Sequence, residues 1–218
     1  MPANGSRNDP VRTLVKFAHD FLLTHRYTHL FTWLFLSFEA LLLAVIIKKV
    51  AYTEIDYSTY LQQADLYVNK NVRNYSSIKG DSGPCVYPAG HLYFFSWILK
   101  HVQPTKAGFP FSLLPGSVYK PGDLLPVQFV FAGLYLVSFA LVMDIYRLAS
   151  GSVDGWRRVK ASAAFPPALH ITTLAMSKRL HSIYVLRMFN DPVAMTIFYL
   201  SVWLLCKRAT MLACITFR

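Results

Sequence analysis

The sequence predicts an all-α fold of several membrane-spanning helices, and three observations carry that expectation. The first is composition: of 218 residues, 54% are hydrophobic and only 15% are charged, against about 25% charged in a soluble domain. Neither Gly, at 10, nor Pro, at 12, has taken the place of the missing charge, which excludes collagen-like and disordered chains. A soluble core of this size has no room for so many apolar groups, so the natural solvent is a bilayer. The second observation is that the apolar residues are gathered in long runs. The third is the basic excess, 22 Lys and Arg against 11 Asp and Glu, which collects between the runs in the manner of cytoplasmic loops. That placement argues against a nucleic-acid footprint, and nucleic acid is not an expected partner. The cysteines Cys85, Cys206 and Cys214 offer neither a disulfide framework nor metal-ligand spacing, so no metal site is expected of them.

Residues 1–29 read as a polar, basic cytoplasmic N-terminus carrying Arg7, Arg12, Lys16 and Arg26, without the pattern of a signal peptide. Residues 30–47, LFTWLFLSFEALLLAVII, give a first span; at about 1.5 Å per residue the run covers roughly 27 Å, enough for a hydrocarbon core. Glu39 in its middle has to face protein or water, since a bare carboxylate in lipid costs several kcal/mol. A neutralised or interhelical glutamate is one reading and a catalytic one the other. Residues 48–123 form a large polar loop. Within it 87–102, YPAGHLYFFSWILKHV, is apolar but short and ends in Lys100 and His101, which suits an interfacial helix.

Residues 124–146 are a second span. The loop 147–160 carries Arg147, Arg157, Arg158 and Lys160 against Asp154. Residues 161–177 are a third span interrupted by Pro166-Pro167, tolerable where neighbouring helices satisfy the freed carbonyls. A polar loop at 178–191 leads into a fourth span at 192–206, with Pro192 in its first turn where a missing N–H costs little. Lys207-Arg208 then precede the start of a fifth apolar run, 207–218. With the N-terminus, 147–160 and Lys207-Arg208 all cytoplasmic, the spans alternate only if 87–102 does not cross. The loops 48–123 and 178–191 then share the opposite face.

Three polar stretches fall on that face. In Thr53-Glu54-Ile55-Asp56-Tyr57 an extended backbone would point Glu54 and Asp56 the same way. The pair is then either a membrane-surface general base for a hydroxyl nucleophile or an acidic loop solvating itself. In Gly80-Asp81-Ser82-Gly83-Pro84-Cys85-Val86-Tyr87-Pro88-Ala89-Gly90-His91 the glycines and prolines make a tight backbone, read as a ligand-approaching loop or as a structural turn. In His181-Ser182-Ile183-Tyr184-Val185-Leu186-Arg187-Met188-Phe189-Asn190-Asp191-Pro192 the guanidinium of Arg187 suits a lipid-linked phosphate, being always charged and able to bind through two N–H groups. The alternative is that Arg187 reaches to headgroups and pairs with Asp191. Asn74-Tyr75-Ser76 matches an N-glycosylation acceptor in the expected non-cytoplasmic loop, whereas Asn4-Gly5-Ser6 lies on the other side.

The runs TEIDY, GDSGPCVYPAGHLY and RLHSIYVLRMFNDPVAM, in this order, resemble the signature segments of the dolichyl-phosphate-mannose-dependent alpha-1,3-mannosyltransferases of the endoplasmic reticulum. The resemblance extends from about Leu30 to Leu205. It implies the N-terminal part of a multispanning, GT-C type glycosyltransferase with about four to five transmembrane helices and a large first lumenal loop. The implied reaction moves mannose from dolichyl-phosphate-mannose to the dolichol-linked Man5GlcNAc2 oligosaccharide in the lumen, with inversion. By the same resemblance Asp56 would be the general base, with Glu54 beside it. Arg187 would neutralise the departing dolichyl phosphate, with His181 as a second contact. Asn190 and Asp191 would orient that loop, and Tyr87 and His91 would line the acceptor side.

The implied partners are the membrane and the two dolichol-linked substrates. Tyr57 stands where the family commonly has Trp. Family members are also longer, so a C-terminally truncated form is expected. A carrier without chemistry, the rival class, would place its polar residues at mid-membrane in broken helices. Here, Glu39 apart, they sit at the ends of the runs.

Overall fold

The computed structural model describes residues 10–23, 28–52, 56–102, 124–151 and 177–217. Glu54, the greater part of the 147–160 loop and the third apolar run lie outside the described residues. The fold is mostly helical. In chain order the helices are α1 (Pro10–Leu23), α2 (Thr28–Lys49), α3 (Asp56–Val68), α4 (Ala89–Trp97), α5 (Leu125–Gly151), α6 (Lys178–His181), α7 (Asp191–Cys206) and α8 (Thr210–Phe217). Between α3 and α4 a short antiparallel hairpin pairs β1 (Lys79–Gly80) with β2 (Gly83–Pro84), Lys79 opposite Pro84 and Gly80 opposite Gly83. Wide π turns extend α4 through Ile98–Val102 and α6 through Ser182–Leu186.

By length and composition, one described segment, Leu125–Tyr146, is long and apolar enough to cross a bilayer. The pair Lys178–Leu186 and Asp191–Cys206, bent by 113°, passes only if counted as a single broken span. Three local readings change. Residues 10–23, taken from sequence as part of a polar tail, form a helix that places Val11, Leu14 and Val15 together at i, i+3, i+4 spacing. The backbone at Asp56 is helical, not extended, because Tyr57, Tyr60, Leu61 and Ala64 recur at helical spacing and all four are buried. Residues 178–186, read as loop, wind into helical turns.

Two compact units divide the described residues. One is drawn from Met1–Glu39, Phe139–Ser177 and Tyr199–Arg218, the other from Ala40–Ser138 and Lys178–Phe198. In the first, Phe35 stacks on Phe139 with centroids 5.6 Å apart. Asp144 accepts a 2.7 Å hydrogen bond from the Trp203 indole and lies 3.9 Å from the Lys207 ammonium. Glu39 is only 1% exposed, so this carboxylate faces protein, as its desolvation cost in lipid demands.

The second unit holds the larger core. Tyr57, Tyr60, Leu61 and Ala64 of α3 pack with Phe95, Ile98 and Leu99 of the α4 segment, with Leu124, Val127 and Phe131 at the start of α5, and with Met188. A neighbouring cluster joins Leu43 and Ile47 of α2, Ala132 and Tyr135 of α5, and Tyr184 and Val185.

Candidate functional site

The site is built on α3. Its first residue is Asp56, half-buried, in the first helical turn where the exposed backbone N–H groups favour an anion. Tyr60 lies one turn further along the same face. Its hydroxyl hydrogen-bonds the side chain of Tyr87, and its ring meets Tyr87 edge-on at 5.7 Å and His91 at 4.9 Å. Burial raises the Tyr60 pKa most; the bond to Tyr87 and the negative charges of Asp56 and Asp191 push the same way. Both carboxylates are therefore close enough to bear on one phenol, although they are 135 residues apart in the chain.

The hairpin is tied down onto α3 by a set of short polar bonds. Gln62 donates to the Asp81 carboxylate and accepts from the Asp81 backbone N–H, both at 2.8 Å. Thr59 Oγ1 accepts from the Ser82 N–H at 3.0 Å and from its hydroxyl at 2.8 Å. Gly80 is required by this approach: a Cβ there would lie 2.6 Å from Thr59 Cγ2 and 3.0 Å from Thr59 Cα. Gly83 has φ +138°, a backbone region closed to most side chains. Gly80 thus serves a close helix–hairpin contact and Gly83 a positive-φ turn.

Pro88 caps α4 in an extended conformation, and the helix carries His91 inward to 7% exposure. The imidazole lies within 5 Å of Tyr60, Tyr87 and Phe95 by ring centroids, at 4.9, 4.6 and 4.8 Å. Burial lowers its pKa to about 4, so the ring is neutral near pH 7.

The third stretch turns a corner before α7. The Arg187 N–H closes the wide turn on the Ser182 carbonyl at 2.9 Å. Met188 then adopts φ +49°, a left-handed conformation that costs a non-glycine residue about 1–3 kcal/mol. Its side chain is fully buried in the α3 core, which holds the strained backbone in place. Arg187 is exposed, its guanidinium 5.9 Å from the Phe189 ring. The Asn190 carbonyl receives the Val193 N–H at 3.0 Å, and Asp191 is the exposed first residue of α7.

His181 points the other way. It is buried, stacked on Tyr135 at 5.1 Å, with its Nε2 3.3 Å from the Tyr135 hydroxyl. The wide turn is supported from α5, where Gln128 donates to the Val185 carbonyl at 3.1 Å. The Tyr184 hydroxyl donates to Ser138 at 3.1 Å, and Ser138 and Thr196 share a 2.6 Å bond.

Of the residues singled out from sequence, Tyr87 and His91 pack against Tyr60, and Asp56 and Asp191 lie near enough for their charges to act on it. Arg187 and Asn190 lie on the same corner as Asp191, and His181 faces the core beneath it. Among the described residues no group of three or more His, Cys, Asp or Glu is arranged to hold a metal ion. Sequence reasoning passed over Tyr60 and Gln63. Both fall on the Asp56 face at i+4 and i+7, a signal that a helical reading of α3 would have exposed.

A family model described as ALG3 protein matches residues 33–218. The chain belongs to this family. It is 38% identical over 201 residues, 92% of its length, to "Dol-P-Man:Man(5)GlcNAc(2)-PP-Dol alpha-1,3-mannosyltransferase" of Cryptococcus neoformans var. neoformans serotype D. It is 34% identical over 196 residues, 83% of the chain, to a relative named as a probable enzyme of the same activity in Dictyostelium discoideum. To the Mus musculus relative that bears the alpha-1,3-mannosyltransferase name it is 37% identical over 157 residues, 72% of the chain. The matched stretch makes up 40% of the length of the first two relatives and 29% of the third. No solved structure matches.

Proposed function

We propose that the chain carries the lumenal catalytic face of a mannosyltransferase that moves mannose from dolichyl-phosphate-mannose, in alpha-1,3 linkage, to lipid-linked Man5GlcNAc2 in the endoplasmic reticulum. The observation that carries this reading is the convergence of three family-like segments, through Asp56, Tyr87 with His91, and Asp191, on one buried tyrosine. In the reaction Asp56 takes the proton of the acceptor mannose 3-hydroxyl, and Glu54, two residues earlier in the sequence, is the second carboxylate proposed for this step. The freed oxygen attacks C1 of the donor mannose as the bond from C1 to the phosphate oxygen breaks. Attack opposite the leaving group turns a beta-linked donor into an alpha product. Dolichyl phosphate leaves with the bonding pair, and the exposed Arg187 guanidinium takes up its charge.

Asn190 and Asp191 orient that corner, and Tyr87 and His91 face the acceptor. His181, buried on Tyr135, supports the phosphate side from beneath. The phosphate is itself the leaving group, so the proposed reaction draws on no cofactor.

A multi-pass arrangement in the membrane belongs to the same proposal, as an architecture of the GT-C type. Its support is an inside-out pattern: Glu39, Gln128, Ser138, Thr196 and Ser201 are buried while Trp33, Phe38, Leu41, Val45, Phe129 and Ile197 are exposed. Transfer from dolichyl-phosphate-mannose to the lipid-linked heptasaccharide, assayed in membranes, tests the reading. Asp56→Asn should lower the rate about 10²–10⁴-fold, the usual weight of a general base, at unchanged protein level. Retained transfer removes Asp56 as the base, and no transfer by the unaltered chain overturns the activity.

A further inference from the structure

The triplet Asn74-Tyr75-Ser76 lies between α3 and the hairpin, in a stretch that is open to solvent. Residues 73–77 are all exposed, Tyr75 at 39%, while Ile78 immediately after them is fully buried with Cys85 and Leu92. The turn is therefore anchored at one end and free on its outer side. The Asn74 side chain is bonded within the triplet. Its Oδ1 accepts from the Ser76 N–H at 3.1 Å and from the Ser76 hydroxyl at 2.8 Å. Its NH₂ donates to no group among the described residues.

Both bonds bear on the nitrogen. An amide nitrogen is a poor nucleophile because its lone pair is shared with the carbonyl. Hydrogen bonds strengthen as their acceptor gains negative charge, so two donors on Oδ1 favour loss of an Nδ2 proton. The Ser76 hydroxyl supplies one of the two. The nitrogen also has room in front of it: a bulky polar group attached there extends into solvent and displaces no buried residue. We infer that Asn74 is the acceptor of an N-linked glycan, added on the lumenal side by an oligosaccharide-transferring enzyme other than this chain. In that step Nδ2 bonds to C1 of the first sugar of a lipid-diphosphate-linked oligosaccharide and gives up one proton. The bond from C1 to the diphosphate oxygen breaks, and the lipid diphosphate leaves with the electron pair.

The position in the chain permits it. Asn74 comes 25 residues after Lys49, the end of α2. Unfolded chain of that length reaches up to roughly 80 Å, so the triplet clears the membrane surface as it emerges. The second matching triplet, Asn4-Gly5-Ser6, falls on the opposite side in the same arrangement. The inference rests on the lumenal placement of residues 48–123 in the proposed function, and adds to it a covalent modification of that loop.

The test is translation of the whole chain into endoplasmic-reticulum microsomes. Gel mobility is compared before and after peptide-N-glycosidase, and the released asparagine is marked with ¹⁸O for mass spectrometry. The native chain should carry one glycan, lost in Asn74→Gln and in Ser76→Ala, and kept in Ser76→Thr and in Asn4→Gln. A second readout locates the loop. Lys79→Cys, at an exposed position of the hairpin, should gain labelling by an impermeant maleimide only when the microsomes are opened. A shielded Lys79→Cys with an unmodified Asn74 overturns the inference and leaves the lumenal placement standing. Labelling of Lys79→Cys in sealed microsomes, with no glycan at Asn74, sinks both. Neither readout depends on turnover, so a glycosylated chain that transfers no mannose keeps the inference and sinks the activity alone.

Discussion

His91 and His181 are both buried and both lie against a tyrosine ring, yet the regions around them are held by different means. Around His91 the bonds are polar and short in sequence reach. Thr59, Gln62 and Gln63 on one face of α3 meet residues 81–83, with separations of 19 to 23 residues. Around His181 the ties reach 46 to 58 residues, from Tyr135 to His181 and from Ser138 to Tyr184 and Thr196. There the chain takes a wide turn and then a left-handed residue before α7 begins. The first region is a local construction resting on a helix. The second is a strained corner that exists because a side chain plugs a distant core.

Met188 should therefore give the largest effect. Its side chain is fully buried among Tyr57, Phe95 and Phe131, and truncating such a residue costs about 2–5 kcal/mol. Met188→Ala should lower thermal stability in micelles by that order and, by freeing Arg187 and Asp191, reduce transfer as well. Met188→Gly forfeits the same packing but relieves the φ of +49°, so it should lose somewhat less than Met188→Ala. A loss under about 1 kcal/mol for Met188→Ala would show that the Tyr184–Ser138–Thr196 chain holds the corner, and would make the two regions alike.

Gly80 is the matching probe on the other side. An added methyl would meet backbone at 3.0 Å as well as the Thr59 methyl at 2.6 Å, so the hairpin must lift off α3. Gly80→Ala should cost about 1–3 kcal/mol, as overpacking does. Gly90→Ala is the control, since nothing lies within 4 Å of a Cβ there; it should be neutral or slightly stabilising in thermal unfolding. Equal effects at the two glycines would contradict a close helix–hairpin contact.

The apolar run at 30–47 was plain in the sequence, because a stretch that length admits few structures, and α2 covers it. The helix α3 was not, although its signal was present: Tyr57, Tyr60, Leu61 and Ala64 carry helical spacing. Thr59 and Gln63 obscured it, since buried polar residues look like exposed ones until their partners are known. Asp56 and His91 were singled out through short motifs, and His91 packs against Tyr60. That Asp191 would approach the same tyrosine was not legible, because no local propensity encodes a left-handed methionine. The corner is a tertiary outcome, decided where Met188 finds its core.

A last probe of the region around His91 uses pH. The His91 pKa falls from 6.5 to about 4 because burial penalises the imidazolium. The unfolded chain therefore binds a proton between those values that the folded chain refuses. Stability then rises with pH across this window, is fully present above 6.5, and is lost as pH falls towards 4, by at most about 1.4 kcal/mol per unit. His91→Gln puts an amide nitrogen near the place of Nε2, so the donor to Gln63 survives while the titration disappears. Thermal unfolding of the two chains between pH 7 and pH 5 should give lines that converge as the pH drops, the native chain losing stability faster. Parallel lines would mean that His91 is charged or solvated in the fold, and the polar construction on α3 would lose the neutral imidazole at its centre.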